Sequence, residues 1–188
     1  MAGKRAEEIG EEEMRPLRLR VHRLIADRLR PLAFVKTHNA LVAERGTPTI
    51  ALDVTSAVIY VLRDPRDVAG SFARHYGLDL DQAVEAMTDD RLRIENPGLH
   101  IQHRLCSWNT HVKSWVESKV PKCVYKYEEL RRDPVGTGRD VARFLKLERS
   151  RQDIRRALRH ASLERARVQE RREGFGEVSP HAPRFFGE

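Results

Sequence analysis

Only two cysteines occur in the 188 residues, Cys106 and Cys123, and they stand in no CxxC or zinc-ribbon spacing. That excludes a disulfide framework and points to a reducing compartment, with both side chains ordinary thiols. Long apolar runs are also missing: the longest covers residues 57–62, whereas a helical membrane span takes roughly 20 residues. The opening Met-Ala-Gly-Lys-Arg leads into Glu11-Glu12-Glu13 with no apolar signal core, so a cytoplasmic protein with no membrane partner is expected. No GxxxxGK[ST] phosphate loop occurs. Charge is abundant: 35 Lys and Arg against 28 Asp and Glu give a net +7. Anionic partners are therefore favoured, whether nucleotide, nucleic acid or acidic surface. The length suits one buried core, so residues 15–188 are expected to form a single domain behind a charged, disordered lead-in at 1–14.

Ala57-Val58-Ile59-Tyr60-Val61-Leu62 is too short for a helix and rich in β-branched side chains, the pattern of a strand covered on both faces of a parallel sheet. Asp64-Pro65 follows as N-cap and first helical residue. Pro there gives up an N–H that has no partner within the helix, and Asp67 is placed to reach back to the cap. Ligands of open α/β sheets gather beyond the carboxyl ends of the strands, where Arg63 sits, and Ser71 shares the helix face of Asp67. A guanidinium and a hydroxyl beside a helix N-terminus suit a phosphate. An Arg63 paired with Asp64 or Asp67 and a plain helical Ser71 satisfy the same spacing, which leaves both readings open.

Elsewhere, Leu17, Val21, Leu24, Ile25 and Leu29 mark a helix from Pro16, with Arg18, Arg20, Arg23, Arg28 and Arg30 as its solvated face. Leu32 to Lys36 reads as a short strand delivering Lys36, Thr37 and His38, and Glu44 to Asp53 reads as a loop. Asp79 caps a short helix holding Leu80, Ala83, Val84 and Met87. Asn96-Pro97-Gly98 is a turn, and the spacing of Leu105, Trp108, Val112 and Trp115 predicts a long helix over Leu99 to Ser118. His100, His103 and Cys106 fan round that helix and make no metal site. Lys122 to Tyr127 alternates as another strand, Asp133-Pro134 repeats the cap device, Ser150 with Asp153 opens a further helix, and a basic helix follows from Leu163.

Arg63, Pro65, Asp67 and Ser71 form an Arg-x-Pro-x-Asp-x-x-x-Ser pattern after a strand. It resembles the 3'-phosphate-binding segment of the sulfotransferases that use 3'-phosphoadenosine 5'-phosphosulfate (PAPS). Two more blocks agree in order: Phe34-Val35-Lys36-Thr37-His38, and His111-Val112-Lys113-Ser114-Trp115 followed by Val124-Tyr125-Lys126-Tyr127-Glu128-Glu129-Leu130. The resemblance covers roughly residues 32–186. It implies a helix-rich, P-loop-NTPase-like α/β fold with a parallel sheet flanked by helices. It implies sulfuryl transfer from PAPS to a small-molecule hydroxyl or amine, with no nucleic-acid partner. Arg63 and Ser71 would then hold the cofactor's 3'-phosphate, Tyr127 would lie near its adenine, His38 would be the general base, and Lys36 would help neutralise the transferring group. A neutral imidazole, with an ordinary pKa of ~6.5, suits that proton transfer.

Two family segments find no counterpart: the glycine-containing Pro-Lys/Arg-Ser-Gly-x-Thr-Trp loop and the Arg-Lys-Gly block near the C-terminus. The chain is thus expected to be truncated relative to the family, with a strand edge open to self-association. Losing even one preorganised donor costs roughly a hundredfold in rate. Three readings follow: a working sulfotransferase, a catalytically inactive nucleotide-binding remnant, and a basic nucleic-acid or protein-binding module built on the arginines of residues 15–30 and 149–172.

Overall fold

A computed structural model describes residues 9–29, 32–96, 101–182 and 184–186, without the side chains of Asn96 and Ile101. In chain order the first elements are α1 (Glu11–Arg28), β1 (Ala43–Glu44), β2 (Thr47–Pro48), β3 (Val58–Leu62), α2 (Pro65–Tyr76) and α3 (Leu80–Thr88). They are followed by β4 (Arg93–Asn96), β5 (Ile101–Arg104), α4 (Trp108–Val116), β6 (Lys122–Lys126), α5 (Tyr127–Arg132), α6 (Pro134–Phe144), α7 (Arg151–His160) and α8 (Leu163–Glu173). The chain divides into two units, one of Met1–Ser56 with Val84–Pro121 and the other of Ala57–Ala83 with Lys122–Glu188. Among the described residues, no helix is long and apolar enough to cross a membrane.

In the first unit, α1 starts at Glu11, earlier than the Pro16 that the apolar spacing marks and inside the stretch expected to be a disordered lead-in. Glu11, Glu12 and Glu13 complement the positive end of the helix dipole, and Pro16 removes only one backbone bond near the start. The arginines of α1 are more than a solvated face. Buried Arg15 pairs with Glu11 and Glu12, Arg18 donates to the Gln102 carbonyl at 3.1 Å, and Arg23 bonds Asp53 at 2.7 Å. Arg93 bridges Glu11 and Glu44, while Val21 and Leu24 stay about half exposed. The polar face of α1 is therefore its anchor.

Three more expectations in this unit give way. Residues 32–40 form no strand. The expected loop over 44–53 contains instead the β1–β2 hairpin, closed by Arg45 and Gly46, both at positive φ as a two-residue hairpin turn requires. The long helix over 99–118 is a β4–β5 antiparallel pair followed by the shorter α4. Cys106, at φ 59°, breaks the chain direction, and Ser107 then caps α4 by accepting the Thr110 N–H at 3.2 Å. Pro97, Gly98, Leu99 and His100 lie outside the described residues.

The second unit follows its local signals closely. β3 and β6 pair in parallel, in register from Val58↔Lys122 to Leu62↔Lys126. β3 is not covered on both faces, since Ile59 and Val61 are 38% and 47% exposed. An unbroken apolar run marks a strand, but cover is supplied by other elements, and among the described residues β3 pairs with β6 alone. Asp64, Asp79, Asp133 and Ser150 all cap as their spacing predicts. α2 ends at Gly77 in the left-handed region at φ 66°, and the His181 ring fills the space that a side chain there would need. α6 meets α7 at Gly138, where a Cβ would come within 2.7 Å of the Ile154 methyl group.

Candidate functional site

Parallel pairing delivers the ends of β3 and β6 side by side. The last registered pair is Leu62↔Lys126, so the next residues, Arg63 and Tyr127, emerge together, and the Arg63 guanidinium carbon lies 5.0 Å from the centre of the Tyr127 ring. Such a cation–π contact contributes ~0.5–1 kcal/mol at an exposed site. Asp64 accepts the Arg66 N–H at 2.9 Å and grips its guanidinium at 2.9 and 2.6 Å. Those bonds pull its carboxyl down to about 2. Asp67 does not reach back to the cap as its spacing predicts. Its Oδ2 instead holds Arg63, at 3.3 Å from Nε and 3.2 Å from Nη2.

This ion pair uses the Nε and Nη2 edge of the guanidinium and does not engage Nη1. The Arg63 side chain is 42% exposed, so the pair is weak enough for a more highly charged anion to compete with it. Ser71 stands one turn beyond Asp67, exposed, and its hydroxyl has no hydrogen-bond partner among the described residues. Arg63, the Ser71 hydroxyl and the N-terminal end of α2 are thus donors of the kind that suit a phosphate, and the Tyr127 ring lies against the Arg63 guanidinium.

Lys36 and His38 belong to the other unit, on the irregular segment that runs through residue 40. Lys36 is exposed and His38 half-buried. Irregular backbone needs partners for its polar groups, and long-range ones supply them. Asn39 is buried and accepts the Arg104 N–H on Oδ1 at 2.7 Å, while the Ala40 N–H donates to the Arg104 carbonyl at 2.7 Å. His111 Nε2 lies 3.2 Å from the His38 carbonyl, and the Trp115 indole N–H donates to the Asn39 carbonyl at 3.0 Å. The Leu41 N–H donates to the Ser114 hydroxyl at 3.0 Å. The His38 ring meets the His103 ring edge to face, with centroids 5.4 Å apart. Burial pushes the His111 pKa down, which favours the neutral imidazole.

Residue reading missed Asn39 and Arg104 altogether, and it weighed His103 only as a metal ligand, not as a neighbour of His38. His111, Ser114 and Trp115 were detectable, because an i, i+3, i+4 spacing places them on one face of α4. Among the described residues, no group of three His, Cys, Asp or Glu side chains is placed to hold a metal ion.

Residues 18–174 match the family described as sulfotransferase domain. Among solved structures, the chain is similar to mouse sulfotransferase SULT7A1 complexed with PAP, at 20% identity and a TM-score of 0.49. That similarity covers 65% of this chain and 43% of the mouse chain, so the chain spans less than half of that structure's length. No curated protein matches it in sequence.

Proposed function

This chain belongs to the sulfotransferase family, and from that premise we propose that it holds PAPS by its 3'-phosphoadenosine end through Arg63, Ser71 and Tyr127. The carrying observation is the Arg63 guanidinium set over Tyr127 at the joint ends of two parallel strands, beside the capped start of α2. Arg63 Nη1 and the Ser71 hydroxyl donate to the 3'-phosphate, and the Tyr127 ring borders the adenine.

Bound PAPS supplies a sulfuryl group activated on its 5'-phosphate. In the whole protein, His38 takes the proton from a small-molecule hydroxyl or amine as the acceptor atom bonds to sulfur and the bond to the 5'-phosphate oxygen breaks. Lys36 offsets negative charge on the transferring group. The proposal places this reaction in the cytoplasm, in keeping with the free thiols of Cys106 and Cys123, the former buried with its pKa raised by that burial. It also includes self-association through a strand edge of the β3–β6 pair, checked by sedimentation across a concentration series.

The deciding experiment is calorimetric titration with 3'-phosphoadenosine 5'-phosphate, with AMP and with the Arg63→Ala variant. Selective binding that depends on Arg63 is expected. Affinity equal to that for AMP, or unchanged in Arg63→Ala, overturns the assignment and favours an unspecific basic module.

A further inference from the structure

We infer that His111 and Trp115 are positioning residues that present the His38 imidazole, by fixing the carbonyls of residues 38 and 39 from one face of α4. The inference rests on the reading of His38 as the base.

Both bonds come from ring N–H groups, on side chains with only two rotatable bonds each. Trp115 is buried at 4% exposure, and the Ser107 cap starts α4 four residues before His111. On the other side of the same short segment, Asn39 and Ala40 are tied to the backbone of Arg104 at the end of β5. Thr37 Oγ1 accepts the Asn39 N–H at 3.1 Å and its side-chain amide at 3.2 Å.

The peptide planes that follow His38 and Asn39 are therefore both tethered, which limits where the Cα–Cβ bond of His38 can point. What remains is rotation about χ1 and χ2, and the His103 ring standing edge to face restricts that. A general base has to be held within about 0.5 Å of its working position, and a misplacement of roughly 1 Å costs on the order of a hundredfold. An untethered irregular segment does not meet that demand. His111 does so without entering the chemistry itself, because its Nε2 faces a backbone carbonyl.

A carbonyl oxygen only accepts hydrogen bonds, so His111 must carry its proton on Nε2. The test is nuclear magnetic resonance of the histidine rings in the full chain. Long-range proton–nitrogen correlations are expected to show His111 neutral with its proton on Nε2 near pH 7. A ring-to-ring Overhauser contact is expected between His38 and His103. His111→Phe keeps the ring and removes the donor, and it should lose that contact while the melting temperature and remote resonances confirm the fold. His111→Gln, whose side-chain amide can donate from a similar position, should restore the contact.

A neutral ring with its proton on Nδ1, or an unchanged His38–His103 contact in folded His111→Phe, overturns the inference. If His111→Phe does not fold, the wild-type tautomer decides. None of these readouts needs turnover or bound nucleotide. Failure of the sulfotransferase reading would appear in the calorimetry alone, and failure of the tether in the histidine spectra alone.

Discussion

The two units secure their candidate residues by opposite means. Around Arg63 the devices are local: a strand, an Asp-Pro cap, and an ion pair to Asp67 four residues along. Around His38 the partners lie 65 to 76 residues away, at Arg104, His111, Ser114 and Trp115. The difference has a functional sense. On the proposed reading, an exposed and weakly paired Arg63 would exchange Asp67 for a phosphate, whereas an irregular segment must be fastened from outside before its imidazole has any defined position.

The sharpest test of that contrast is Trp115→Ala. It removes a buried ring and the donor to the Asn39 carbonyl, and should lower unfolding stability by ~3–5 kcal/mol in urea titrations. A loss below ~1 kcal/mol would mean that the His38 segment does not depend on this fastening. Arg63→Ala should weaken phosphoadenosine binding by about a hundredfold, the ~1.5–3 kcal/mol range of hydrogen bonds to charged groups, with little change in melting temperature. A large drop in stability instead would make Arg63 a structural residue.

Smaller effects sharpen the account of the second unit. Ser150→Ala removes the capping box that opens α7 and should cost ~1 kcal/mol, read as a shift in the urea midpoint at constant slope. The smallest effect concerns Asp64, whose carboxyl is held at about 2 by Arg66, below the ordinary carboxylate value. A folded-state pKa below the unfolded one means that the contribution is complete above the unfolded pKa of ~3.9 and fades as pH falls through about 2. Acid unfolding of Asp64→Asn should lack this component between roughly pH 4 and 2. An identical acid profile in the variant would show that the Asp64–Arg66 contact does not persist in solution.

The β3–α2 unit was legible because all its signals fall within a few residues of one another. Apolar β-branched residues mark the strand, and Asp64 and Pro65 mark the turn. The caps at Asp79, Asp133 and Ser150 were readable for the same reason. The helix expected over 99–118 shows where such reading stops. Apolar spacing across Leu105, Trp108, Val112 and Trp115 suits a helix, yet residues 101–104 pair with β4 and Cys106 turns into the left-handed region. α1 makes the same point, with a visible apolar stripe that its ion pairs and its bonds to distant residues override.

By itself, the sequence determined the strand-to-helix turn that carries Arg63, the helix caps at Asp64, Asp79, Asp133 and Ser150, and the ordered motifs that mark the family. Tertiary structure alone decided that Arg63 meets Tyr127, that β3 stays half exposed, and that the His38 segment is irregular backbone fastened by α4 and the end of β5. The reason is range. Capping and periodicity act between neighbours along the chain, while strand pairing and side-chain bonds to orphan carbonyls join residues whose proximity only the folded backbone creates.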